Sequence, residues 1–145
     1  MVVPRFVRQA LLNEPITVYG DGTQTRSFCH VSDAISALTR LLDTPSAYGE
    51  VFNVGNDREV SIRQLAETIR TLTRSRSEIL LVPYHQAYVA GFEDMQRRVP
   101  DLSKLRRWIG YQPRYSLEQT LRDVIAYVQS QLECRPGNPS PEPTP

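Results

Sequence analysis

An α/β class with a small, interrupted sheet is predicted by three observations. Stretches with apolar residues at helical spacing alternate with short β-branched runs, and Gly- or Pro-containing turns separate them. The 145 residues are about one domain's length, and a 40% hydrophobic content is enough to bury a core. The strands are too few and too short for a complete doubly wound domain.

Each element has a local cause. Pro4 suits a first helical turn, and Phe6, Val7, Ala10 and Leu11 form one face before Pro15 stops the run. Ile16 to Tyr19 is β-branched and aromatic, so it predicts a strand. Gly20-Asp21-Gly22 reads as a hairpin turn into a second strand from Thr25 to Val31. No helix follows to cradle a phosphate, and no P-loop lysine is present, so a phosphate-loop reading fails. Ser32 is the expected N-cap of a helix whose core face is Ala34, Ile35, Leu38, Leu41 and Leu42. Val51 to Val54 predicts a strand that turns at Gly55-Asn56-Asp57.

Ser61 with Gln64 forms a capping-box pair ahead of Ile62, Leu65, Ala66, Ile69 and Leu72. Ile79 to Val82 is a short apolar run between Glu78 and Pro83, and predicts a strand. Asp101 is placed to cap a short helix that holds Leu102, Leu105 and Ile109 and closes at Gly110. Ser116 with Gln119 repeats the capping box before a stripe running from Leu117 to Leu132. Five of the eleven prolines fall from Pro136 onward, among no large apolar residues. Residues 1–133 are therefore the expected folded part, and 134–145 a disordered Pro-rich tail.

Composition excludes several function classes. A net charge of +1 gives little drive toward nucleic acid or an anionic membrane. No apolar stretch approaches the length of a membrane span, and the N-terminus lacks the form of a signal peptide. Two cysteines, Cys29 and Cys134, make no disulfide framework and have no metal-ligand neighbours. The expectation is a soluble, cytoplasmic protein with no metal. His30 and Asp33 read as structural residues at a helix start rather than as an acid/base pair, and His85 stands alone.

Arginine is the unusual feature. Lys104 is the single lysine, and the other sixteen of the seventeen basic residues are Arg. Arg26 sits in an extended stretch near Phe28, and Arg97-Arg98 lead toward the Asp101 cap. Arg26 has no acidic partner at helical spacing, and a planar guanidinium suits bidentate phosphate recognition. Solvation at the surface is an equal alternative on composition alone. Arg106 and Arg107 read as exposed helix charge.

Four motifs, taken in order, carry a family resemblance. The first is Val2-Val3-Pro4-Arg5-Phe6-Val7-Arg8-Gln9-Ala10-Leu11, and the second runs from Ile16-Thr17-Val18-Tyr19-Gly20-Asp21-Gly22 through Arg26-Ser27-Phe28 to His30-Val31-Ser32-Asp33. The third is Val51-Phe52-Asn53-Val54-Gly55, and the fourth is Arg97-Arg98-Val99-Pro100-Asp101 with Ile109-Gly110-Tyr111-Gln112-Pro113. Together these resemble the C-terminal, substrate-binding part of the extended short-chain dehydrogenases. That family comprises NAD-dependent nucleotide-sugar epimerases, dehydratases and decarboxylases such as UDP-glucose 4-epimerase, UDP-glucuronate decarboxylase and dTDP-glucose 4,6-dehydratase.

The resemblance implies roles residue by residue. Arg26 and one of Arg97 and Arg98 would hold the nucleotide diphosphate, with Arg98 preferred by counting back from Asp101. Tyr19 would lie near the base, Asn53 by the ribose and phosphates, and the backbone at Val3 near the nucleotide. It also implies an absence. The family's Tyr-x-x-x-Lys pair cannot form on Lys104, because position 100 is proline, and the glycine-rich NAD loop is missing. The chain thus resembles a portion lacking the main NAD-binding Rossmann half. It is expected to bind a UDP- or dTDP-sugar, to hold no NAD alone and to have no catalytic residue of its own. The alternative expectation is a fragment that binds no ligand and acts through protein contacts, by self-association or by docking to an N-terminal Rossmann half.

Overall fold

The computed structural model describes residues 1–84 and 95–134. His85 falls outside the described residues, as does the predicted tail beyond Cys134, which caps the last helix. The class is α/β, as the sequence predicts: among the described residues, five α-helices surround a two-stranded and a three-stranded sheet.

Helix α1 (Val2–Leu11) buries Val3, Phe6, Val7 and Ala10, one face at 3.6-residue spacing. It stops before Pro15, because Asn13 turns left-handed at φ 53. The Asn13 carboxamide oxygen then accepts from the Arg76 N–H at 3.0 Å. That bond brings the approach to β4 (Ile79–Val82) alongside β1 (Ile16–Tyr19), and the two strands pair in parallel with Ile16 opposite Ile79. Ile16 and Val18 are fully buried and pack against α1 and α3 (Ile62–Leu72). Helix α5 (Leu117–Glu133) completes this main core with Leu121 and Ile125. Both predicted capping boxes form, at Ser61/Gln64 and at Ser116/Gln119.

The predicted hairpin does not form. β1 and β2 (Thr25–Ser27) lie in different sheets, and β2 is only three residues long rather than reaching Val31. Gly20 and Gly22, at φ 74 and 77, turn the chain away from β1 and onto the start of α3. There the Gly22 and Gln24 carbonyls accept the Arg63 and Ile62 N–H groups at 3.0 Å. Strand β2 instead pairs antiparallel with β3 (Glu59–Ser61) and parallel with β5 (Arg97–Arg98).

A second cluster sits between α2 (Val31–Leu42), α4 (Ser103–Ile109) and the extended stretch 51–54. It contains Ala37, Leu102, Leu105, Ile109 and Tyr111, with Leu41, Phe52 and Val54 packed against it. Three expectations are corrected here. Residues 51–54 are not a strand: Phe52 and Val54 face inward, but no backbone ladder joins them to any described residue. Helix α2 is capped by His30, whose Nδ1 accepts the Ser32 N–H at 3.1 Å, and not by Ser32. Its buried residues are Asp33 and Ala37, whereas Ile35, Leu38 and Leu42 of the predicted core face are exposed.

Polar bonds tie α2 to α5. His30 Nε2 lies 3.0 Å from Asp123 Oδ2, and its ring stacks on Tyr115 with centroids 3.9 Å apart. Asp33, 2% exposed, accepts the backbone N–H groups of Arg114 and Tyr115 at 3.0 and 3.2 Å. Both residues are thus committed to structure. Removing the Asp33 carboxylate leaves two enclosed N–H donors unpaired, so Asp33→Ala is expected to lose about 2–4 kcal/mol of stability in urea unfolding. Asp33→Asn, which keeps one acceptor, loses less, and equal losses would contradict this account.

Candidate functional site

The open edge of β1 builds the site. The Ile16 and Gly20 N–H groups face β4, which leaves Thr17 and Tyr19 presenting backbone groups to the other side. Two α1 side chains, one turn apart, close that edge. Gln9 Oε1 accepts the Thr17 N–H at 3.2 Å, and Arg5 Nη2 donates to the Thr17 carbonyl at 3.0 Å. The Tyr19 carbonyl accepts from Gln24 Nε2 at 2.8 Å. Arg5 also lies over the Tyr19 ring, 4.1 Å from its centroid.

Against this edge opens a cavity of about 810 Å3. Its walls include the α1 start from Met1 to Arg5, then Tyr19, Gln24, Arg26, Cys29, Tyr84 and Arg98, with Leu117 and Leu121 behind. Three arginines line it, and no carboxylate does among the described residues. The first turn of α1 has no side-chain cap and no acidic residue, so its N–H groups and the helix dipole add positive potential at the same wall.

Strand register decides which arginines face the cavity. Arg26 stands directly opposite Arg98 in the parallel β2–β5 pair, so both side chains lie on one face of the sheet. Thr25 stands opposite Arg97, on the other face. There Arg97 pairs with Glu59 at 2.6 Å, and Thr25 Oγ1 donates to Glu59 at 2.9 Å; these two bonds hold the exposed Glu59 carboxyl below its ordinary pKa. Arg26 is 8% exposed, and its Nη1 donates to the Thr25 and Met95 carbonyls, both at 2.7 Å. The Arg98 side chain is exposed and is bonded to no other described residue.

Val3, Tyr19, Arg26 and Arg98 are therefore brought together, while Arg97 and Asn53 stay apart. Asn53 donates to the Asp101 carbonyl at 3.2 Å, away from the cavity walls. Arg5, Gln24 and Tyr84 were not singled out from the sequence. A side chain that crosses to a strand edge has no sequence signature, although the Arg5–Gln9 spacing of one helical turn is consistent with it. Tyr84 packs on Gly20 so closely that a Cβ there would come within 2.5 Å of the ring. Only glycine fits that position.

Three comparisons with known proteins now bear on the site. Residues 1–124 match the family model described as GDP-mannose 4,6 dehydratase. The chain is 42% identical over 128 residues to a UDP-N-acetyl-alpha-D-glucosaminuronate decarboxylase of Bacillus cytotoxicus, covering 88% of this chain and 40% of that protein. It is 39% identical to UDP-glucuronic acid decarboxylase 1 of Danio rerio, covering 94% of this chain and 31% of the relative. Among solved structures, UDP-glucuronic acid 4-epimerase from Bacillus cereus, in complex with UDP-glucuronic acid and NAD, superposes with a TM-score of 0.79 at 27% identity. The match covers 90% of this chain and 40% of that one.

The chain belongs to the extended short-chain dehydrogenase family of nucleotide-sugar epimerases and dehydratases. It spans well under half the length of the relatives it matches. Relatives in this family are solved with NAD, but the described residues here do not fit that cofactor. Gly20 and Gly22 lead to β2 and not to a helix N-terminus. Lys104 is tied to Glu50 at 2.7 Å and to the Val51 carbonyl at 2.9 Å.

The two thiols differ in environment. Burial pushes the Cys29 thiol up, and it lies 3.8 Å from the Tyr111 hydroxyl, whereas Cys134 is exposed. At pH 8, iodoacetamide is therefore expected to label Cys134 about tenfold faster than Cys29. Peptide mass spectrometry over a time course checks this, and comparable rates would overturn the described burial.

Proposed function

We propose that this chain is the nucleotide-diphosphate-sugar binding portion of an NAD-dependent nucleotide-sugar epimerase, dehydratase or decarboxylase, and that it is not catalytic by itself. The pairing of Arg26 with Arg98 carries the reading. Two like charges directly opposite on one sheet face repel, and no carboxylate lines the cavity to offset them among the described residues. A diphosphate at this wall would meet both guanidiniums and the N–H groups at the α1 start. Tyr19 lines the same cavity with its ring beneath Arg5 and is the candidate neighbour of the base, and the backbone at Val3 borders the nucleotide. Arg97 and Asn53 stand outside the proposed set.

The part of the substrate bound here is remote from the reacting sugar carbons. Its binding energy serves to hold the sugar in place in the whole enzyme. The relatives' named activities make UDP-glucuronate the first sugar nucleotide to test, with dTDP-sugars as the comparison.

Calorimetry with UDP tests the reading. The chain is expected to bind UDP, and Arg98→Ala is expected to weaken binding by about tenfold or more, as loss of a charge-assisted bond to phosphate does. Arg97→Ala, on the opposite face, should leave the affinity unchanged. Equal effects of the two substitutions, or no heat of binding at all, would overturn the assignment. Turnover of UDP-glucuronate with NAD by this polypeptide alone would overturn the non-catalytic reading.

A further inference from the structure

Two polar side-chain atoms at the cavity wall are enclosed and have no hydrogen-bond partner among the described residues: Gln24 Oε1 and Arg5 Nε. Buried polar atoms are rarely left in this state, so each calls for a cause. Gln24 is only 4% exposed, and the side chains of both residues line the cavity. Both also meet Tyr19. The Gln24 amide bonds the Tyr19 carbonyl, and the Arg5 guanidinium covers the Tyr19 ring.

Chemistry fixes which way the Gln24 amide points. The Tyr19 carbonyl offers only lone pairs, so the group 2.8 Å from it is the Nε2 donor. The Tyr84 hydroxyl accepts from the same nitrogen at 3.0 Å. Oxygen and nitrogen therefore cannot exchange places, and Oε1 stays an acceptor with nothing to accept from. Holding Tyr84 to the end of β1 explains the nitrogen and leaves the oxygen unexplained. Arg5 is divided in the same way. Its Nη2 closes the β1 edge on the Thr17 carbonyl at 3.0 Å, whereas its Nε–H serves no such purpose.

The wall thus keeps one spare acceptor and one spare donor. Both atoms are closed to water, so solvent cannot stand in for a missing partner. A flat ring edge of matching polarity pressed into this wall gains bonds for which no water competes. An edge of the wrong polarity leaves an enclosed atom unpaired or faces it with a like group, and is rejected. A spare acceptor and a spare donor match a ring N–H with a carbonyl beside it. Uracil and thymine carry that edge. Cytosine has a lone pair in place of their ring N–H and an amino group in place of the carbonyl.

We propose that Gln24 Oε1 accepts the ring N–H of the nucleotide's base and Arg5 Nε donates to the neighbouring carbonyl, so that this pair selects a uracil or thymine nucleotide over a cytosine one. The assignment rests on nucleotide binding in this cavity and adds the residues that decide the base. It is separate from the diphosphate contacts, because neither Arg26 nor Arg98 takes part in it.

Calorimetry with UDP and CDP, which share ribose and diphosphate, isolates the base. The chain is expected to bind UDP at least about tenfold more tightly than CDP. Gln24→Met, of similar length and without the acceptor, should bring the two affinities within about threefold by weakening UDP. Arg98→Ala should lower both affinities and leave their ratio unchanged. Gln24→Met also loses the Nε2 bonds, so its melting curve is recorded, and Arg5→Lys provides a second variant. Lysine keeps a charged donor for the Thr17 carbonyl and lacks Nε, and it should narrow the ratio as well. Equal binding of UDP and CDP by the unaltered chain overturns the base assignment and leaves the diphosphate reading standing. Binding of neither sinks the nucleotide reading itself, and the assignment with it. A ratio that survives both substitutions in folded variants also overturns it. So does a Gln24→Met variant that still prefers UDP to CDP but has lost a preference for UDP over 2′-deoxy-UDP, since Oε1 would then read the ribose hydroxyl.

Discussion

The open edge of β1 is the constraint on which the rest of the site depends. A two-stranded parallel sheet leaves one edge of each strand unpaired, and buried backbone groups must find partners. Here α1 answers for the neighbouring strand. Gln9 takes the Thr17 N–H and Arg5 gives to the Thr17 carbonyl, both from a single helix face. These bonds fix the rotation of α1 as well as its distance from the strand. Its uncapped first turn is thereby held at the cavity wall, and Arg5 over the Tyr19 ring.

A second consequence follows at the turn after β1. Because side chains occupy that edge, β2 has no place beside β1, and the glycine turn carries the chain to the α3 N-terminus instead. β2 then lies between β3 and β5, and this arrangement puts Arg26 opposite Arg98. The concentration of positive charge in the cavity is thus a product of sheet topology. It is unrelated to the chain's overall charge, which is only +1.

The two halves of the molecule contrast in completeness. The main cluster is held by α1, α3, α5 and β1, and Phe6, Ile16, Leu65, Ile69 and Leu121 in it are fully buried. The second cluster is smaller, and the helix that covers it turns four large apolar side chains outward. His30 holds that helix to α5, and Asp33 holds it to the segment leading into α5, through polar bonds. Its orientation is therefore well specified even though one of its apolar faces has no cover.

The sequence by itself determined the helices, both capping boxes and the family. Capping boxes, apolar periodicity and glycine stops act within a few residues of chain, so Ser61, Ser116 and Gly110 could be read correctly one segment at a time. Tyr19, Arg26 and Arg98 were legible as candidate contacts through the family's motifs, and Arg98 was separable from Arg97 by counting. Only the tertiary structure decided which side of α2 is buried, that Gly20 to Gly22 is no hairpin, and that 51–54 lacks a ladder. The same holds for Arg5, Gln24 and Tyr84, which reach the cavity from three separate segments. The physical reason is common to all of these. Periodicity says that a helix has an apolar face, and β-propensity says that a run is extended, but what meets that face or edge is a long-range contact that no local pattern encodes.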